Sequence, residues 1–274
     1  LKHFVHLIWL FRCVRNVMRN LMKSIFLTFF VISYLTLSSQ TPRLVKEALH
    51  KKSKVMLDSS IREYKNSEQK YFREVVNNYY EAEYRISENK GEFTWDAAYY
   101  INLKIIYIDS LIISYKLIER KNAIVDTLTK ENYERTEEFW YSNDSLFADF
   151  KHKFLKVFGK ELNPEELHNP ILFGNQFGNS GAPPDGEVIV KKLVKERNKT
   201  ALVEMLKSTK FEIQLYGIKG LRQLERTGIK LNEIEKLLIS SILAKKGLVY
   251  EANGCSPEYT DVLKIIENYK LQGQ

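Results

Sequence analysis

YYINLKIIYIDSLIISYKLI, residues 99–118, is the stretch on which the fold turns. Fourteen of its twenty residues are apolar or Tyr, and the polar residues Asn102, Asp109 and Lys116 recur every seven positions. That recurrence predicts a helix with one narrow wet edge. A membrane span is the competing interpretation. Lys104, Asp109 and Lys116 would each cost about 2.5–3.5 kcal/mol near the centre of a bilayer, so a helix at the middle of a water-soluble bundle is expected.

The flanking segments extend the same pattern. Residues 43–58 are expected to form a helix, opened by Thr41 as a cap and Pro42 in the first turn. Residues 60–87 carry Ile61, Tyr64, Tyr71, Val75, Tyr79 and Ile86 at helical spacing, and 130–158 carry Phe139, Trp140, Phe147, Phe150, Phe154 and Phe158. Together these give an N-terminal helical bundle over 41–168. Tyr71, Tyr79, Tyr80, Tyr84, Trp95, Tyr99 and Tyr100 fall around one expected helical hairpin, as core and boundary positions.

Residues 169–186, NPILFGNQFGNSGAPPDG, break the pattern with four glycines and three prolines. This linker loop is expected to be either a tether or a small recognition site lined by Phe173, Phe177, Asn175 and Asn179. Beyond it, 187–274 reads as a second helical unit. In 211–226, Phe211, Leu215, Ile218, Leu221 and Leu224 lie on one side, while Gly217 and Gly220 permit close approach by a neighbour. Asn232 with Glu235 has capping-box spacing, and Ser256-Pro257-Glu258 looks like the start of a last helix.

The run FEIQLYGIKGLRQLERTGIKLNEIEKLLISSI resembles a HEAT-like repeat, two antiparallel helices joined by a Gly-containing turn. The wider segment is also similar to the C-terminal part of a group of uncharacterised exported bacterial proteins. The matching pieces here are Phe177-Gly178, Gly181, Pro183-Pro184, Gln214-Leu215-Tyr216 and Gly254-Cys255. The resemblance implies an all-α fold, a bundle followed by a HEAT-like hairpin unit, and implies no known activity.

Residues 1–40 read as a leader. Lys23 precedes an apolar run over 25–37, then Ser38-Ser39-Gln40, which matches a secretory signal peptide with initiation at Met22, or alternatively at Met18. The expected location is therefore periplasmic or extracellular; the alternative is an inner-membrane anchor formed by 25–37. The leader holds five of the 42 basic residues and none of the 34 acidic ones, so the remainder carries +3 rather than +8. No electrostatic case for nucleic acid survives. Cys255 is the one cysteine after the leader, which rules out an internal disulfide there.

Candidate chemistry is sparse. Glu165-x-x-His168 is half of a di-metal carboxylate motif with no second copy, and Asn163-Pro164-Glu165-Glu166 is equally a helix start. Cys255 placed before a helix N-terminus could be an activated thiolate, but no His lies near it in sequence. The glycines match no phosphate-binding fingerprint. Asn143-Asp144-Ser145 and Asn198-Lys199-Thr200 fit the glycosylation sequon. No catalytic, metal or cofactor residue is assigned, and no cofactor is expected. The expected function is a non-enzymatic protein-interaction or structural module of the bacterial envelope, with a protein partner and membrane contact only through an uncleaved leader. The alternative is an envelope hydrolase with a site between the two helical units, gathering Glu165, His168 and Cys255.

Overall fold

The computed structural model describes residues 40–64, 67–87, 99–124, 132–178, 180–253 and 255–272. Residues 1–39 of the leader, Trp95, Asn179 and Gly254 lie outside the described residues. The chain divides into a unit over 1–51, of which helix α1 (Gln40–His50) is described, and a compact unit over 52–274. Among the described residues no helix is long and apolar enough to cross a membrane.

The second unit is mixed α/β, which overturns the all-α expectation. Helix α2 (Lys54–Arg62) leads into five strands: β1 (Ser67–Val76), β2 (Tyr79–Ser87), β3 (Tyr99–Ile108), β4 (Leu111–Ile124) and β5 (Asn132–Ser142). They form one antiparallel sheet in sequence order. Residues 99–118 are thus a hairpin and not a helix. Ile108 pairs with Leu111 across Asp109-Ser110, and Asp109 has φ 51°. Ile101, Leu103 and Ile105 are buried while Asn102 and Lys104 between them are half-buried, the alternation of a pleated strand. The seven-residue recurrence has a different origin: Asn102 and Lys116 sit on neighbouring strands, and Asp109 makes the turn.

The same correction applies to 60–87. Asn77 and Asn78 have φ 42° and 65° and close a two-residue turn between Val76 and Tyr79. Positive φ at both central positions is the backbone of the hairpin turn that matches strand twist, and Asn tolerates it. The described tyrosines of the aromatic cluster therefore lie on strands. Residues 132–142, expected in a helix, are a strand; helix α3 (Asp144–Phe158) begins only where the Asn143 side chain accepts from Leu146 N at 3.2 Å.

The two faces of the sheet differ. Tyr84, Ile86, Ile101, Leu103, Ile105 and Leu117 make an apolar face. Helix α2 packs on it, burying Leu57 and Ile61, with Asp58 accepting from Tyr84 Oη at 2.9 Å and pairing with Lys54. The opposite face carries Tyr71, Arg73, Glu81, Glu83 and Lys104 in adjacent register positions. Helix α3 covers one end of it: Tyr79 stacks on Phe150 at 5.0 Å and donates to Asp149 at 2.6 Å.

The C-terminal half covers more of that charged face. It comprises α4 (Asp185–Lys195), α5 (Lys199–Leu206), α6 (Phe211–Arg226), α7 (Glu233–Leu243), the hairpin β6 (Leu248–Asn253) and β7 (Ser256–Asp261), and α8 (Val262–Asn268). Helix α6 is the axis of this half, with eleven of its sixteen residues buried. A Cβ on Gly217 would stand 2.9 Å from the Leu202 carbonyl oxygen, so α5 and α6 approach closely, as the glycines in 211–226 implied. The α7 capping box is formed by Asn232 and Glu235. The HEAT-like assignment fails: the α6–α7 pair runs into a β-hairpin, and 257–270 is a strand followed by a seven-residue helix. Gly247, at φ 122°, lets the entry to β6 bridge to Arg73 of β1, where a Cβ would collide with the Arg73 backbone.

Residues 169–186 pack into this half. Phe173 is fully buried, exchanges backbone hydrogen bonds with Tyr250 and Ala252, and contacts Tyr216 and Tyr269. Gly174 N donates to Tyr216 Oη at 2.9 Å, and Lys219 links Asn175 to Glu187. Phe173 is committed to the core, while Asn175 stays exposed and accepts from Lys219.

Candidate functional site

The densest group of ionisable side chains lies where the charged sheet face meets the C-terminal half. β1 presents Arg73 directly opposite Glu81 of β2. A register shift between Glu74 and Val76 sets that pairing; an unbroken two-residue hairpin would place Arg73 opposite Ala82. The guanidinium donates through Nε to Glu81 and through Nη1 to Glu212 of α6 at 2.6 Å. Glu81 also accepts from the His168 backbone N–H at 2.6 Å, and His168 Nδ1 lies 3.4 Å from both Glu81 Oε2 and Tyr71 Oη. Tyr71 stacks on Tyr259 of β7 at 5.2 Å. Arg73 Nη2 and Glu212 Oε2 are buried without a hydrogen-bond partner.

Burial sets the proton affinities here. Burial pushes the Glu81 carboxyl up, but Arg73 and His168 outweigh it and hold the group below its ordinary value. Burial raises Glu212, with Arg73 only partly opposing. His168 is pushed down to about 4, chiefly by burial, so its ring is neutral at pH 7. Nearby, Lys245 donates to Gln214 Oε1 at 2.7 Å and lies against the rings of Phe158 and Phe211, and burial lowers it to about 7. Arg73, Glu81 and Glu212 are each no more than 1 % exposed. A bulk reactant has no route to these atoms; the cluster joins strands to helices.

The solvent-facing part of the same face lies toward β5. Directly opposed residues form two cross-strand rows. One runs Tyr71, Glu83, Lys104, Lys116, Trp140; the next runs Glu68, Arg85, Asn102, Ile118, Glu138. Lys116 pairs with Glu138 at 2.5 Å, and Glu83 gathers Lys70 at 3.5 Å and Arg85 at 3.6 Å. Trp140 is 80 % exposed, on a strand that has β4 on one side and, among the described residues, no strand on the other.

Residues singled out in the sequence fall in separate settings. Glu165 is exposed in a three-residue 3₁₀ turn (Pro164–Glu166) capped by Asn163, so its spacing to His168 is not that of a helix face. His168, at φ 57°, turns inward to Glu81. Cys255 is exposed at the tip of the β6–β7 hairpin, and Ser256-Pro257-Glu258 continue as strand, which removes the helix terminus invoked for an activated thiolate. Among the described residues no group of three His, Cys, Asp or Glu is placed to hold a metal. Both sequon asparagines act as helix caps, Asn198 accepting from Ala201 N at 3.0 Å. Arg73, Glu81 and Glu212 carry no sequence signal, because their meeting depends on a bulge and on a separation of 139 positions between Arg73 and Glu212. No family model, no curated protein and no solved structure matches the chain significantly.

Proposed function

We propose that this chain is a non-enzymatic protein-interaction module whose working surface is the solvent-facing part of the charged sheet face, with Trp140 as its anchor. The carrying observation is that indole, 80 % exposed on a terminal strand beside the Lys116–Glu138 pair. Trp is among the residue types enriched in the few positions that carry most of the binding energy at protein interfaces, and this indole keeps most of its surface in water. The densest ionisable cluster, Arg73, Glu81 and Glu212, is instead enclosed and ion-paired.

We place the module in an exported compartment, on the strength of the leader pattern over 22–40. The test of the interaction is a photo-crosslinking amino acid at position 140, compared with one at the exposed Ile234 of α7. A discrete adduct formed at 140 alone, identified and then reconstituted with the purified partner, supports the module. Absence of any 140-specific adduct refutes it. N-terminal sequencing of the recovered chain tests the leader: a cytosolic protein retaining residues 22–40 refutes export.

A further inference from the structure

The fold treats the two Asn-x-Ser/Thr triplets differently. Asn143 directly follows β5, is half-buried, and donates its backbone N–H to Ile113 O of β4 at 2.8 Å. Asn198 stands in the turn between α4 and α5, where Arg197 has φ 53° and residues 195–198 are all exposed. Its amide is divided between two roles. Oδ1 accepts from Ala201 N and caps α5, while Nδ2 makes no hydrogen bond among the described residues. An aspartate caps a helix as well as an asparagine does, so the fold uses the oxygen and leaves the NH2 group idle. Thr200, the third residue of the triplet, is exposed as well, and its hydroxyl makes no hydrogen bond among the described residues.

We propose that Asn198 is the acceptor for an N-linked glycan, with Thr200 supplying the hydroxyl of the recognised triplet. This rests on the exported-compartment reading, because the triplet serves as an acceptor on the surface loops of secreted chains. The co-substrate is an oligosaccharide carried on a lipid pyrophosphate. Asn198 Nδ2 forms a bond to the anomeric carbon of the first sugar as the bond from that carbon to the pyrophosphate oxygen breaks. The lipid pyrophosphate leaves with the electron pair, and one Nδ2 proton passes to a base of the transferase. The product is a secondary amide that still has Oδ1, so the cap on α5 survives the modification. A glycan on Asn143, by contrast, would stand three residues from Trp140, against the interaction surface.

The purified full chain, incubated with an oligosaccharyltransferase and its lipid-linked donor, tests this. The enzyme chosen is one that modifies short peptides of both triplets, so any preference within the chain comes from the fold. Mass spectrometry is expected to show a single glycan at Asn198 and none at Asn143. Thr200→Ala and Asn198→Asp are expected to abolish the mass shift, and Ser145→Ala to leave it unchanged. Asn198→Asp keeps the α5 cap, so an undiminished urea midpoint separates a lost acceptor from a lost fold. No modification of the folded chain, modification only after unfolding, or equal modification of the two asparagines overturns the proposal. So does a chain recovered from its own cells with the leader removed and Asn198 bare. A cytosolic chain retaining residues 22–40 refutes export and glycosylation in the cell with it, while the purified reaction still decides whether Asn198 is an acceptor.

Discussion

The guanidinium of Arg73 donates to Glu212 at 2.6 Å across 139 positions of sequence, and through the same group β1 is bound to Glu81 of β2. One buried cation thereby ties the sheet to the axis of the C-terminal half. Truncating one partner of such a pair leaves the other charge buried and uncompensated. Glu212→Ala is expected to lower stability by about 3–5 kcal/mol in urea unfolding. A loss below about 1 kcal/mol would show that the ion pair does not join the two halves.

Lys245 gives a pH signature. Its folded pKa is about 7, lowered by burial from 10.5, with Glu74 and Glu81 pulling it up and Arg73 adding to the fall. Between those values the unfolded chain holds the extra proton, so stability rises as pH rises from about 7 toward 10. Urea midpoints measured across this window for the native chain and for Lys245→Met should diverge, the variant losing the slope. Parallel curves contradict the assignment.

His168 acts on the acid side. Its folded pKa of about 4 lies below the ordinary 6.5, so the unfolded chain takes up the proton first as pH falls. Stability is therefore expected to drop between pH 6.5 and 4. His168→Asn suits the positive φ, preserves the backbone donor to Glu81, and removes the titration. Its thermal midpoint should change less over this pH window than that of the native chain.

The β1–β2 turn is expected to be sensitive to shape and indifferent to polarity. Asn78→Val, at φ 65°, should cost about 1–2 kcal/mol, while Asn78→Gly should be close to neutral. Thermal unfolding of the two variants checks this; equal costs would point to a side-chain interaction in place of backbone strain.

Gly247→Ala probes the seam between β6 and β1. The new Cβ has no room beside the Arg73 backbone, and φ 122° disfavours any side chain. A loss of about 1–3 kcal/mol or more is expected in urea unfolding, with the Gly228→Ala change, where no atom lies within 4 Å, costing less.

What the sequence determined by itself is the helical part of the C-terminal half. The 211–226 stripe and the Asn232–Glu235 capping box are visible there because a helix satisfies its backbone within four residues, and its periodicity and caps are written locally. The sheet was legible only in fragments: Asn77-Asn78 and Asp109-Ser110 were the turn signals, and Ile101-Asn102-Leu103-Lys104-Ile105 the alternation. Strands that bury residues on both faces read as continuous apolar runs, and 99–118 mimicked a helix for that reason. Tertiary structure alone decided the meeting of Arg73, Glu81, His168 and Glu212, and the pair of opposed lysines beside Trp140. A strand's hydrogen bonds and burial come from partners remote in the chain, and one bulged residue resets which side chains face one another.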